Sequence, residues 1–135
     1  MADVDVKEVV TCFLENNGRI LILKRGDRVR TYKGKWGVVA GYVEKGENPD
    51  ETAVREISEE AGFRDARLVA KGEPYEFYDF EVGILWKIHP YRFAVNSDRV
   101  QIDWEHVESR WIPPEELKNY DTVPMLLESW KRVSR

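Results

Sequence analysis

Two apolar stretches open the chain, residues 4–14 (VDVKEVVTCFL) and 19–24 (RILILK), with Glu15-Asn16-Asn17-Gly18 between them. Asn-Gly between apolar runs is a strong hairpin signal, because these residues accept the positive φ angles of a tight turn. A polar stretch occupies 25–35, and 36–43 (WGVVAGYV) reads as a strand whose small residues allow close backbone approach. The pattern then turns helical. Asn48 can cap a helix, Pro49 suits the first turn, and Asp50 and Glu51 put negative charge at the positive end of the helix dipole. Gly62 is a C-terminal stop, which bounds a helix at about 49–61. Ala53, Val54, Ile57 and Ala61 form its apolar stripe. Glu56 and Glu60 lie one turn apart on another face, with Glu59 beside them.

After the helix, 66–73 reads as a strand, followed by an aromatic-rich segment at 74–80. Residues 80–88 and 91–95 read as two further strands, broken at His89-Pro90. A polar connection spans 96–103, a short strand 105–112, and Pro113-Pro114-Glu115-Glu116-Leu117 starts a short helix. A last helix at 123–133 carries Leu126, Leu127, Trp130 and Val133 on one face, a packing stripe. Strand-rich ends around a central helix, with a C-terminal helix, predict an α+β layered domain. No repeat, linker or low-complexity segment interrupts it, so residues 1–135 are expected to form a single domain.

Composition narrows the class. A chain of 135 residues with 42% hydrophobic content can bury a sizeable core. Its formal net charge of -4 argues against a general nucleic-acid binder, whose footprint would be basic. The one cysteine, Cys12, lies in an apolar run and reads as a buried packing residue. The acidic start MADVDVKE has no signal-peptide pattern, and no apolar run is long enough to span a bilayer. The expectation is a cytoplasmic protein with no membrane partner.

Two local charge clusters stand out against this background. Glu56, Glu59 and Glu60 crowd one stretch of helix, where like charges at i,i+4 repel. A divalent cation would offset that repulsion, and carboxylates are the hard oxygen ligands that suit magnesium or manganese. Arg55 can reach Glu51 or Glu59. Between 24 and 35, Lys24, Arg25, Arg28, Arg30, Lys33 and Lys35 face a single acid, Asp27. That stretch is either a solvated loop or an edge that binds phosphate beside the carboxylates.

The spacing of Gly41, Glu47 and Arg55-Glu56-Ile57-Ser58-Glu59-Glu60-Ala61-Gly62-Phe63 resembles the Nudix hydrolase signature, with every specified position filled. Weaker family features extend the resemblance: the opening hairpin ending in Lys24-Arg25, the approach from Trp36 to Gly41, and Arg110-Trp111-Ile112 before Pro114-Glu115-Glu116-Leu117. The resemblance implies the Nudix fold, an α/β/α sandwich with a central mixed β-sheet. It also implies Mg2+ as cofactor, with Mn2+ as a substitute, held by Glu56, Glu59, Glu60 and the carbonyl of Ala40, which stands where glycine is commoner. Arg55 would orient a glutamate, Glu47 would support the site, and Gly41 and Gly62 would be structural.

For the general base, the resemblance offers a helix glutamate or a loop glutamate about six residues before Trp111. Glu105 is preferred to Glu108 on that spacing. Arg25 matches a position that contacts substrate phosphates, with Arg28 and Lys35 as secondary candidates. Tyr32, Trp36, Tyr75, Phe77 and Tyr78 could stack on a base or pack internally. His89 and His106 have no metal-ligand spacing.

Hydrolysis of a diphosphate needs in-line attack by water and neutralisation of charge on the phosphoryl oxygens. The expectation is therefore a pyrophosphohydrolase of a small nucleotide, a nucleoside triphosphate first. ADP-ribose or another nucleotide sugar comes next, and a non-catalytic nucleotide sensor is the alternative from another class. RNA cap processing is disfavoured by net charge. A homodimer is a family-level expectation.

Overall fold

The computed structural model describes residues 4–135. The first three residues of the expected 1–135 domain, and with them part of the MADVDVKE segment, lie outside the described residues. The elements are β1 (Asp5–Asn16), β2 (Arg19–Arg25), β3 (Trp36–Gly37), β4 (Val39–Tyr42), α1 (Pro49–Ala61), β5 (Arg67–Lys71) and β6 (Tyr75–Asp79). They continue with β7 (Ile84–Ala94), β8 (His106–Ile112), a 3-10 helix (Pro114–Asn119) and α2 (Leu126–Val133). The hairpin forms where Asn-Gly requires it, with Asn17 and Gly18 both at positive φ.

β1 is the centre of a mixed eight-stranded sheet. It runs parallel to β7 from Asp5↔Ile84 to Glu15↔Ala94. On its other edge the partner changes along its length: β4 from Val9↔Tyr42 to Cys12↔Val39, then β2 at Glu15↔Ile20. The sheet therefore forks beside β1. Where both faces are covered, residues 10–14 of β1 and 20–23 of β2 are nearly continuous apolar runs. Val10, Cys12 and Leu14 pack towards Ile57 and Ala61 of α1, while Phe13 points the other way, to Leu126 and Val133 of α2. These two helical layers around a mixed sheet are the expected α/β/α sandwich.

Helix α1 has the expected bounds. Asn48 Oδ1 accepts from the Glu51 N–H at 2.9 Å, the Glu51 carboxylate reaches back to Asn48, and Gly62 closes the helix in the left-handed region. Val54 departs from the expected stripe. It is exposed, since one residue past Ala53 is 100° further round the helix, and Thr52 is buried instead.

The sequence reading needs correction further along. Strands 80–88 and 91–95 are one strand, β7, which runs unbroken through His89-Pro90. Its antiparallel partners change there, from β6 up to Ile88 to β5 from Tyr91 onward. The Pro90 carbonyl accepts from Gly72 N–H at this junction, and its ring nitrogen faces the same gap, where no ladder donor is needed. Residues 80–83 form a turn, and the aromatic segment before it is strand β6, with Asp79 buried at its end. The last helix starts at Leu126 rather than 123, after Met125 at positive φ, and Leu127 lies on its exposed side. Among the described residues no helix is long and apolar enough to cross a membrane.

Candidate active site

Strand β4 carries the chain up to α1 and presses Gly41 against it. A Cβ added at Gly41 would overlap the Glu56 carboxylate, so only glycine lets the strand pass. One residue earlier, the Ala40 N–H donates to Glu60 Oε1 at 3.3 Å. Glu56 and Glu60 are both buried, at 9% and 2% exposure. Glu60 Oε2 is buried with no hydrogen-bond partner. Burial pushes the Glu60 carboxyl well above the usual carboxylate range, and the neighbouring charges of Glu56 and Glu105 add to it. Burial raises Glu56 as well.

Arg55 holds this acidic group together. Its Nε and Nη2 take the two oxygens of Glu47 at 2.9 and 3.0 Å, and Nη1 reaches Glu56 at 2.6 Å and Glu59 at 3.3 Å. Glu47 also accepts from Thr52 Oγ1 at 2.6 Å and from the Glu44 N–H at 3.2 Å. The Arg55 guanidinium, then the Thr52 hydroxyl, lower the Glu47 carboxyl to about 2. Of the two reaches expected for Arg55, Glu59 is engaged, whereas Glu51 is committed to the helix cap.

These carboxylates stand at one end of a cleft of about 570 Å³. Its lining joins Glu56, Glu59 and Glu60 of α1 to Val9 of β1, Ile88 of β7 and the segment at Val123-Pro124. Arg25 and Arg28 line it, together with Arg30. Arg25 Nε is braced on the Thr31 carbonyl at 2.9 Å, and Arg28 lies over the Trp104 ring. Lys35 does not join them. The Trp36↔Thr122 bridge lays Asp121 beside it, and Lys35 Nζ is paired there at 2.8 Å. Glu105 lines the cleft too, its carboxyl raised chiefly by burial and then by Asp103 and Glu56. Glu108 instead accepts from Arg110 at 2.7 Å.

Of the five aromatic candidates, Tyr32 and Phe77 line the cleft. Trp36 packs in the α2-side core, Tyr75 bonds the Met125 carbonyl and Tyr78 packs on Phe80. Tyr42, Trp86 and Trp104 also line the cleft, and sequence reasoning had not singled them out. Trp86 shares a period-2 face with Ile84 and Ile88, but periodicity does not say which face of the sheet meets the cleft. His89 pairs with Glu8 and His106 with Asp103.

The residues fit a hard divalent cation. An unpartnered buried carboxylate oxygen beside a second buried carboxylate is a costly arrangement that a cation relieves. Among the described residues no three acidic, His or Cys side chains already form a ligand cluster, and Glu59 is turned outward onto Arg55.

The family model described as the NUDIX domain matches residues 6–131. The chain belongs to the Nudix family and is a hydrolase. Among curated relatives, it is similar to the nucleoside triphosphatase NudI of Escherichia coli, 29% identical over 128 residues, covering 85% of this chain and 87% of that one. The fold is that of a MutT protein from Methanosarcina mazei Go1, with TM-score 0.83, 24% identity and coverage of 98% and 95%. It is also that of the Escherichia coli dihydroneopterin triphosphate pyrophosphohydrolase, with TM-score 0.76, 20% identity and coverage of 98% and 99%.

Proposed function

We propose that this hydrolase cleaves a diphosphate bond in a nucleoside triphosphate, using Mg2+ (or Mn2+) held by Glu56, Glu60, Glu59 and the carbonyl of Ala40. The observation that carries the reading is the buried, unpartnered oxygen of Glu60 beside Glu56, in a cleft also lined by Arg25, Arg28 and Arg30. The Ala40 N–H points at Glu60, and in a strand the carbonyl of the same residue points to the same side. That direction supports its part in the set. A cation bound there supplies charge neutralisation on the phosphoryl oxygens and acidifies a water.

The chain's own groups do the rest. Arg55 fixes Glu56 and Glu59 through Nη1 while its other edge is locked on Glu47, so the acidic side chains are positioned before substrate arrives. Arg25 and Arg28 hold phosphate oxygens. Glu105 takes the proton of the attacking water on its carboxylate, and its raised pKa strengthens it as a base. The triphosphate reading draws support from the small cleft and from the name of the NudI relative. The complete acidic set argues against a non-catalytic sensor.

Product analysis with Mg2+ tests the reading. A nucleoside monophosphate plus pyrophosphate supports it. AMP plus ribose phosphate from ADP-ribose, with no turnover of triphosphates, would replace it with the nucleotide-sugar reading.

A further inference from the structure

Helix α2 has only eight residues and is about 12 Å long, so it covers Phe13, while the same sheet face beyond it borders the cleft at Val9, Trp86 and Ile88. There a third apolar cluster gathers Ile84, Trp86 and Ile88, with Val9, Tyr32, Tyr75, Phe77 and Met125 packed against it. Val9 is register-paired with both Tyr42 and Ile88, and Trp86 lies two residues before Ile88. Tyr42 and Trp86 therefore project from the same face, on either side of β1. Their rings stack with planes 3° apart and centroids 6.4 Å apart. Bases stack about 3.4 Å apart along a nucleic-acid strand, so a planar ring between two others needs about 6.8 Å. Parallel planes lie no farther apart than their centroids, so the gap here is at most 6.4 Å and must widen to take a base.

The two rings are held very differently. Trp86 is 8% exposed, and its Nε1–H donates to the Tyr32 hydroxyl at 3.0 Å, which donates in turn to Asp79 Oδ2 at 2.6 Å. Asp79 is itself buried and braced by the Glu81 N–H. Tyr42 is 51% exposed, and its ring has only Trp86 and the Lys7 ammonium beside it among the ring contacts. Tyr42 stands immediately after Gly41, which packs against the Glu56 carboxylate, and it lines the same cleft as Glu56 and Glu60.

We propose that Tyr42 and Trp86 form the nucleobase subsite: the base stacks on the fixed Trp86 ring, and Tyr42 closes over it. The Tyr32–Asp79 relay acts as a positioning device that sets the Trp86 plane and ties the basic loop at 26–35 to the same floor. The subsite rests on the nucleotide reading above and deepens it. Stacking on two aromatic faces accepts any base, so affinity here comes from the ring surface and not from a hydrogen-bonding edge.

The test is calorimetric titration with Mg2+ of the α,β-imido analogues of dATP, dGTP, dCTP and dTTP, beside inorganic tripolyphosphate as a base-free probe. Tyr42→Leu should weaken the nucleotide analogues on the order of tenfold or more, while tripolyphosphate binding stays within about twofold. Tyr42→Phe keeps the ring and should restore wild-type affinity. Tyr32→Phe, which removes the relay without removing a ring from the subsite, should weaken the analogues and spare tripolyphosphate. Equal losses for analogues and tripolyphosphate, or unchanged analogue binding in Tyr42→Leu, would overturn the subsite. Because the titration needs no turnover, it decides the subsite separately from hydrolysis. Failure of the wild type to split the parent triphosphates counts against the proposed reaction alone.

Discussion

Replacing Glu60 by Gln should make the metal-free protein more stable while removing its activity. In the wild type, Glu60 Oε1 takes the Ala40 N–H, and Oε2 is buried, unpartnered and next to Glu56. Glutamine keeps the first contact. It puts an amide donor where the orphan oxygen stood, beside the Glu56 carboxylate. A hydrogen bond to a charged group contributes about 1.5–3 kcal/mol, and for a chain of this size each kcal/mol is about 3 °C in Tm, so the gain is roughly 5–9 °C.

The pH dependence has a definite sign. The folded Glu60 carboxyl sits above its unfolded value, so its protonated form contributes stability that is complete below the ordinary carboxylate range. That contribution is lost as pH rises towards the folded value. Glutamine does not titrate, so its advantage should be largest at neutral pH and shrink towards pH 4.5. Thermal unfolding in EDTA at stepped pH measures this. Mg2+ at a hundred times its Kd should then stabilise the wild type by about 2.7 kcal/mol and so raise its Tm, leaving the variant behind. Turnover should fall at least about a hundredfold. A variant less stable than the wild type in EDTA at pH 7, or a difference that ignores pH, would refute the reasoning.

Three further outcomes follow from the site. Glu105→Gln should lower turnover about a hundredfold or more and remove the acidic limb of the pH–rate profile, because a base with a raised pKa gains activity as pH climbs through that value; an intact profile would move the base to α1. Arg55→Lys loses the two-pronged grip on Glu47 and should weaken Mg2+ activation by about 10- to 100-fold, read from metal titrations of turnover. Asn48→Ala removes the cap of α1 and should cost about 1 kcal/mol in urea unfolding with turnover unchanged, since neither Asn48 nor its cap partner Glu51 lines the cleft.

Local chemistry made much of this legible in advance. Asn48, Pro49 and Gly62 write the limits of α1 in covalent terms, and Asn17-Gly18 writes the first turn, so those elements stand where the sequence placed them. What depended on neighbours was less readable. Pro90 broke a strand on paper because the change of partner from β6 to β5, which accommodates it, is a tertiary fact. Lys35 looked like part of a basic wall until the bridge at Trp36 supplied Asp121. Tyr42 and Trp86 come from strands far apart in sequence, and only the register through Val9 brings their rings together.

The fork beside β1 gives the molecule a division of labour. One branch, β4, carries Ala40 and Gly41 to the acidic helix, and its geometry tolerates almost no change, as the fit of Gly41 against Glu56 shows. The other branch, β2, leads into the loop at 26–35 and pairs with β8, which follows the loop carrying Trp104 and Glu105. The two loops meet through the Gly26 N–H on the Glu105 carbonyl. Substitutions at Arg28, Arg30 and Trp104 can reshape the cleft, whereas Glu105, and Gln101 through its N–H on the Ala61 carbonyl, tie the second loop to the acidic helix. A chain built this way can change its substrate over evolutionary time while keeping its reaction.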